Sequence, residues 1–355
     1  MKELKFLINK LPSQLILYPT SRCNASCQHC YNFNREDGTT KENELTLEEI
    51  NKISLGFGHM KALTISGGEP FLRDDIKEMV DVFYKNNSLQ YVSFHTNAFL
   101  TRRVVDPILD VLKSCKDLKV IVCVSIDGVG EIHDNIRGVP KGFEKMCQTV
   151  KELERIKEEY PNLFLISSTI FSQSTRESFP QTIEYIRKSF KTVHPALCFI
   201  RGEVRKSSEK EIEAQLYKEF YEKSYKDIDP SIKPFSFMAL KATLDWMTHD
   251  IVYKNHVNQT QTVPCQAGRK LVVIYENGDV YPCEQLSEKF GNIRDAEYDV
   301  KKLLFNKEGE LIKKNIFCEK FCHCTWENII NANLVFDLKS YPKIFYNWFR
   351  LFISN

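Results

Sequence analysis

Thr20-Ser21-Arg22-Cys23-Asn24-Ala25-Ser26-Cys27-Gln28-His29-Cys30-Tyr31 is the stretch that decides how the rest of the chain is read. It carries three cysteines in a Cys-x3-Cys-x2-Cys spacing. It follows a short apolar run, 15–19 (LILYP), that reads as a strand. Three thiolates from one loop can wrap an iron–sulfur cubane and leave its fourth iron open, as a catalytic site needs and a structural site does not. Structural zinc is the competing reading. It wants four closed ligands, and no fourth lies nearby.

Outward from this loop, strand and helix signals alternate. Further strands are expected at 62–66 (ALTIS), 91–96 (YVSFHT), 119–126 (KVIVCVSI), 163–171 and 193–201. Thr46-Leu47-Glu48-Glu49 is a capping-box pattern that opens a helix. Asp74 or Asp75 caps another, and helices follow near 106–112 and 143–160. Six strand–helix repeats imply an α/β fold with a parallel sheet and right-handed crossovers. The repeats can close most of a barrel or lie flat as a doubly wound sheet. Both place the ligand at the C-terminal strand ends.

After Arg201 the rhythm changes to two long helices, 209–227 and 235–257. A hairpin follows, with strands 271–276 and 279–281 flanking Asn277-Gly278, the pair a type I′ turn prefers. We expect a barrel unit over 1–205, a helical connection over 206–258 and a smaller C-terminal unit over 259–355. The aromatic tail, 344–353, is expected to pack on the body.

Composition narrows the function classes. The chain has 355 residues, 43% of them apolar, and a net charge of +2. That size suits roughly two domains. So small a charge gives no general attraction to nucleic acid or anionic lipid. No apolar run reaches the ~20 residues of a membrane helix, and the first ten residues lack a signal-peptide core. Twelve cysteines without an export signal suit metal binding in a reducing cytoplasm.

The cysteine loop after a first strand resembles the signature of the radical S-adenosylmethionine (SAM) superfamily. The resemblance implies a partial (β/α)6 barrel over about 15–201. It implies a 4Fe–4S cluster on Cys23, Cys27 and Cys30 whose open iron chelates the amino and carboxylate groups of SAM. Reductive cleavage then yields a 5′-deoxyadenosyl radical. His29 and Tyr31 resemble the aromatic positions that border the adenine. Gly67-Gly68-Glu69-Pro70 resembles the segment that binds the methionine amino group, with Glu69 near it. His95-Thr96-Asn97 resembles a Thr-Asn-Gly turn, although Ala98 replaces a glycine nearby. Ser125 and Asp127 share a face by period two and resemble ribose or methionine ligands. Arg137 resembles the arginine that meets the methionine carboxylate, for which a guanidinium fork is suited.

A second set, Cys265, Cys283, Cys318, Cys322 and Cys324, resembles the C-terminal SPASM or shorter twitch extension of such enzymes. Five cysteines imply one auxiliary 4Fe–4S cluster. The ending Cys-x3-Cys-x-Cys departs from the usual spacing. It points to Cys318 as the third ligand and leaves the fourth between Cys322 and Cys324. Zinc on four of the five is the alternative. Cys115, Cys123, Cys147 and Cys198 read as buried small hydrophobes, but Cys123 shares parity with Ser125 and could donate a hydrogen atom inside the barrel.

The implied activity is hydrogen abstraction from an unactivated carbon, fed by an external reductant such as flavodoxin or ferredoxin. Two substrate classes compete: a small polar molecule such as a sugar or aminosugar, oxidised or epimerised, and a peptide side chain. The fourteen residues before the barrel, too few for a peptide-recognition domain, favour the small molecule. A non-catalytic metal-binding regulator or electron carrier is the reading from another class. It would need the cysteines but not Gly67–Pro70, Ser125 or Arg137.

Overall fold

Six largely apolar runs form parallel strands in the computed structural model: β1 (Gln14–Leu17), β2 (Ala62–Ile65), β3 (Tyr91–Thr96), β4 (Lys119–Ser125), β5 (Leu163–Phe171) and β6 (Val193–Phe199). The structure describes residues 10–35, 40–226, 236–318 and 322–353. Each strand pairs in parallel with the next in sequence, so the order never reverses. A doubly wound sheet would reverse at a switch point. The single direction of winding is that of a partial barrel with helices outside it.

Five of those helices are α1 (Leu47–Phe57), α2 (Ile76–Asn87), α3 (Thr101–Ser114), α4 (Glu131–Arg137) and α5 (Gly142–Glu159). α6 (Phe179–Ser189) joins β5 to β6. The capping box of α1 forms as read: the Thr46 hydroxyl accepts from Glu49 N–H, and the Glu49 carboxylate accepts from Thr46 N–H at 2.8 Å. Alternate strand residues, among them Leu15, Leu63, Ile65, Phe94, Val120 and Val122, are fully buried against the helices. Each such side chain contributes roughly 1.5–3 kcal/mol.

The smaller C-terminal region extends the same sheet. β7 (Leu271–Ile274) pairs in parallel with the other edge of β1, and β8 (Asp279–Tyr281) and β9 (Gly291–Asn292) continue antiparallel. One nine-stranded sheet therefore runs from barrel to hairpin. The long helices α7 (Ala214–Lys226) and α8 (Phe237–Asn258) are followed, beyond the hairpin, by α9 (Val300–Leu304), α10 (Lys307–Cys318), α11 (Glu327–Phe336) and α12 (Tyr341–Ile353). A second core joins the opposite face of β1, at Ile16 and Tyr18, to Phe171, Phe199, Tyr217 and Trp326. This packing sets the C-terminal cysteines beside the barrel. The tail helix α12 buries Ile344 and Asn347 against the body, but Phe345, Tyr346 and Phe349 of its other face are exposed. Only part of the expected tail packing is present.

Candidate active site

The first cysteine loop is pinned on three sides by backbone. Gly68 N–H donates to Thr20 O at 3.0 Å and Glu69 N–H to Arg22 O at 2.9 Å. A Cβ on Gly68 would lie 2.1 Å from Arg22 O, and one on Gly67 would lie 2.4 Å from Thr20 O. Only glycine allows so close an approach, and Gly67 also has a φ of 123°. Ser26 and Gln28 N–H donate to Arg137 O and Ile136 O, both at 3.0 Å. Arg205 and Lys206 N–H donate to Cys30 O and Gln28 O.

Glu69 is buried and fully engaged. It accepts from Thr96 Oγ1 at 2.9 Å, Asn97 N–H at 2.8 Å and Phe71 N–H at 3.3 Å. Burial nevertheless pushes its pKa up to about 7. The Asn97 amide donates to Asn24 and stands 4.0 Å from Cys23 Sγ. Ala98 takes the left-handed φ of 61° that glycine would favour, so the turn keeps its form despite the substitution.

Arg137 and Asp127 stand side by side in the site. They form a close ion pair with each other. Arg137 Nη1 also donates to Cys27 Sγ at 3.5 Å, and Asp127 Oδ1 accepts from Ile170 N–H at 2.8 Å. His29 Nε2 lies 3.5 Å from Asp127. Burial works against the Asp127 carboxylate, but Arg137 and then His29 outweigh it and hold its pKa below the ordinary value. Asp127 is fully buried, away from the half-exposed Ser125.

Tyr31 likewise turns inward. Its hydroxyl lies 2.8 Å from that of Tyr18 and donates to Glu284 at 3.1 Å. Arg201 pairs with Glu284 at 3.1 Å and stacks 4.8 Å from the Tyr31 ring and 5.5 Å from the Trp326 ring. Sequence reasoning missed Tyr18, Arg201, Glu284 and Trp326. Only Arg201 carried a local signal, as a charged residue beyond a strand's C-terminal end.

The strand face opposite the helix-packed core is half-buried and sets polar side chains among apolar ones such as Ile121, Ile166 and Ile170. Thr64 and Ser93 share a hydrogen bond of 2.8 Å, and Ser168 and Cys198 one of 3.3 Å. Burial lowers His95 to about 4, so this imidazole is neutral near pH 7. Burial raises Cys123 and Cys198 to about 12, so both keep the S–H that a hydrogen-atom donor requires.

In the C-terminal region, Cys265, Cys283, Cys322 and Cys324 line one cavity together with Ile251, Ile316 and Ile329. Backbone N–H groups two residues ahead donate to three of these sulfurs: Ala267 to Cys265 and Gln285 to Cys283 at 3.4 Å, and Trp326 to Cys324 at 3.3 Å. Cys318 closes α10, is exposed and does not line the cavity. Thus Cys322 and Cys324 stand where spacing had favoured Cys318 and only one of the two. Among the described residues, no three His, Cys, Asp or Glu side chains stand close enough to share a single metal ion.

Comparison with known proteins follows the same lines. The radical SAM superfamily profile matches residues 17–186. An AdoMet-dependent heme synthase from Methanosarcina barkeri is 27% identical over 292 residues, covering 79% of this chain and 78% of that protein. The chain thus carries a radical SAM domain at residues 17–186. The antilisterial bacteriocin subtilosin biosynthesis protein AlbA of Bacillus subtilis is 25% identical over 300 residues, 79% of this chain but 57% of AlbA. Among solved structures, native anSMEcpe with bound AdoMet superposes with a TM-score of 0.58 at 20% identity, covering 97% and 99% of the two chains. Streptococcus suis SuiB bound to precursor peptide SuiA gives 0.57 at 15%, covering 91% and 73%. The radical SAM fold thus carries a C-terminal auxiliary region here, and the protein is an enzyme whose cofactors are a 4Fe–4S cluster and SAM.

The loop suits that cluster. Arg137 Nη1 donates to Cys27 Sγ at 3.5 Å, and the Asn97 amide stands 4.0 Å from Cys23 Sγ. Ser21 Oγ, His29 Nδ1 and Asn32 Nδ2 are buried without a hydrogen-bond partner around it, as a polar ligand would require.

Proposed function

We propose that this radical SAM enzyme abstracts hydrogen from a small polar molecule of sugar or aminosugar type, giving oxidation or epimerisation. The carrying observation is the set of polar side chains on the half-buried strand face, Thr64, Ser93, His95, Cys123, Ser168 and Cys198. A hydroxyl-rich substrate finds there neutral donors and acceptors, and no charged side chain among these six has to be desolvated. When bound, the cluster and SAM supply the 5′-deoxyadenosyl radical. The chain's own part is to hold and orient.

Cys23, Cys27 and Cys30 hold the cluster, with Gly67 and Gly68 letting the loop close over the strand end. Glu69 fixes the Asn97 turn rather than standing free. Ser125 faces the half-buried side of β4, where it would contact SAM. His29 borders the same site. Arg137 neutralises Asp127 and the Cys27 sulfur, and so orients the loop rather than gripping the methionine carboxylate. Tyr31 and Tyr18 close the wall toward Glu284. Cys123, kept protonated, gives its hydrogen atom to a substrate radical in the epimerisation reading, and the thiyl radical left behind takes one electron from the external reductant and a proton to return to the thiol.

Cys265, Cys283, Cys322 and Cys324 hold one auxiliary 4Fe–4S cluster. Amide donation to three of the four sulfurs supports this reading, since such bonds stabilise cluster-bound thiolate. An external reductant such as flavodoxin or ferredoxin feeds the enzyme. Peptide maturation is the second reading, favoured by the similarity to AlbA.

The test is anaerobic incubation of the reduced protein with SAM. Formation of 5′-deoxyadenosine by the native protein, abolished in Cys27→Ala, is the expected result. Full production by Cys27→Ala would remove the assignment of the loop. Substrate class is then read by supplying deuterated aminosugars or peptides and following deuterium into 5′-deoxyadenosine. Transfer from peptide alone would replace the small-molecule reading.

A further inference from the structure

The tail helix α12 is apolar on two faces, and only one of them meets the body. Ile344 and Asn347 are buried against it. Turned about a third of a circle away lie Tyr341, Phe345, Tyr346 and Phe349, with Phe345 58% and Tyr346 65% exposed. Leu338, just before the helix, is 79% exposed and continues the patch. Such a run of large exposed side chains on a helix that is already docked marks a surface with another occupant.

Charge says which occupant. Lys339, Lys343 and Arg350 flank the patch, and 338–355 contains no Asp or Glu. These three cations exceed the whole chain's net charge of +2, so the rest of the molecule is slightly acidic. The cations beside the patch suit a negatively charged occupant. At helical spacing Lys343 and Arg350 share one edge of the aromatic face, where both can reach phosphate while the rings enter the interface. No helix among the described residues is long and apolar enough to cross a membrane. The contact is therefore one of lying on the surface, not of spanning it.

We propose that α12 and the preceding Leu338–Ser340 turn dock this enzyme on an anionic lipid bilayer. The rings of Phe345, Tyr346 and Phe349 enter the headgroup boundary, and Lys339, Lys343 and Arg350 pair with lipid phosphates. A single docked helix with few cations gives reversible, salt-sensitive attachment.

The experiment is co-sedimentation of the full-length, cluster-loaded protein with vesicles of phosphatidylcholine alone and of phosphatidylcholine with one-third phosphatidylglycerol. Binding to the mixed vesicles, at least about tenfold stronger than to the neutral ones and reversed by molar salt, is expected. The Phe345→Ser/Tyr346→Ser/Phe349→Ser and Lys339→Gln/Lys343→Gln/Arg350→Gln variants should each lose that binding. Both should keep the native iron content and rate of 5′-deoxyadenosine formation, because none of these residues belongs to the cluster or SAM sites. Failure to bind either vesicle, or equal binding to both, overturns the proposal. Should the native chain instead self-associate in sedimentation velocity, with the aromatic variant monomeric and vesicles unbound, the patch is an interface between copies and the lipid assignment is wrong.

Discussion

Asp127, Arg137 and Glu327 show at the residue scale how burial decides what a charge can do. Asp127 is fully buried and depends on Arg137. Arg137→Ala leaves an uncompensated carboxylate and should cost about 3–5 kcal/mol, read as a shift in the anaerobic denaturation midpoint. The native pair contributes stability above the unfolded aspartate pKa of ~3.9 and loses it as pH falls through the lower folded value. In Arg137→Ala the sign reverses, because the unpaired carboxyl then prefers its proton. Asp127→Asn combined with Arg137→Gln should recover much of the loss. If the single variant is as stable as the native protein, the ion pair does not hold the loop. Glu327 behaves in the opposite sense. It accepts from Phe199 N–H at 2.5 Å, and burial, only partly offset by Arg201, raises its pKa to about 7. Its stabilising contribution is complete below the unfolded value of ~4.3 and is lost as pH rises through about 7. Glu327→Gln should flatten that fall in a series of denaturation midpoints. An unaltered pH profile would show that Glu327 titrates normally. Neither behaviour was legible in the sequence, since Arg137 reaches Asp127 from the end of α4 and Glu327 meets Phe199 and Arg201 from far along the chain.

At the scale of elements, what local chemistry specifies was readable and what distant pairing specifies was not. β3 and β5 appear at the bounds read from their β-branched runs, and the Asn277-Gly278 turn joins β7 to β8. The capping box of α1 is likewise local. The parallel pairing of β7 with β1 joins residues more than 250 apart in the chain and has no local signature. The tail packs on α8 by one face, and which face was not legible because that cover comes from far along the chain. The Gly67-Gly68 segment was readable as a motif, but its physical cause is the backbone of residues 20–22 pressed against it. Gly68→Ala therefore puts a methyl group 2.1 Å from Arg22 O and must displace the cysteine loop. Iron should fall by about four per chain with 5′-deoxyadenosine formation lost, while far-ultraviolet circular dichroism stays native because the helix-packed core is untouched. Native iron content in this variant would mean that the loop tolerates the displacement and that glycine serves another purpose there.

For the whole molecule, the question is how two cysteine sites in one continuous sheet act together. Arg201 leaves the end of β6 and touches a neighbour of each: Tyr31 beside Cys30, Glu284 beside Cys283, and Trp326 two residues beyond Cys324. The second core then fixes the C-terminal cavity against the barrel. Because the cavity draws in both Cys322 and Cys324 and leaves Cys318 exposed, ligation there divides cleanly between variants. The native protein should hold about eight irons after anaerobic reconstitution, and Cys318→Ala should hold the same. Cys322→Ala and Cys324→Ala should each lose the auxiliary cluster and fall to about four, yet still form 5′-deoxyadenosine, since the barrel loop is unchanged. Loss of iron in Cys318→Ala, with Cys322→Ala intact, would return the third position to Cys318. About four irons and one zinc in the native protein would make the cavity a structural zinc site. The two results are separable because only the second leaves all four single variants of the cavity cysteines with the iron content of the native chain. Either outcome leaves the barrel chemistry standing, since the cysteines, the glycines and Arg137 that build it come from the first 140 residues.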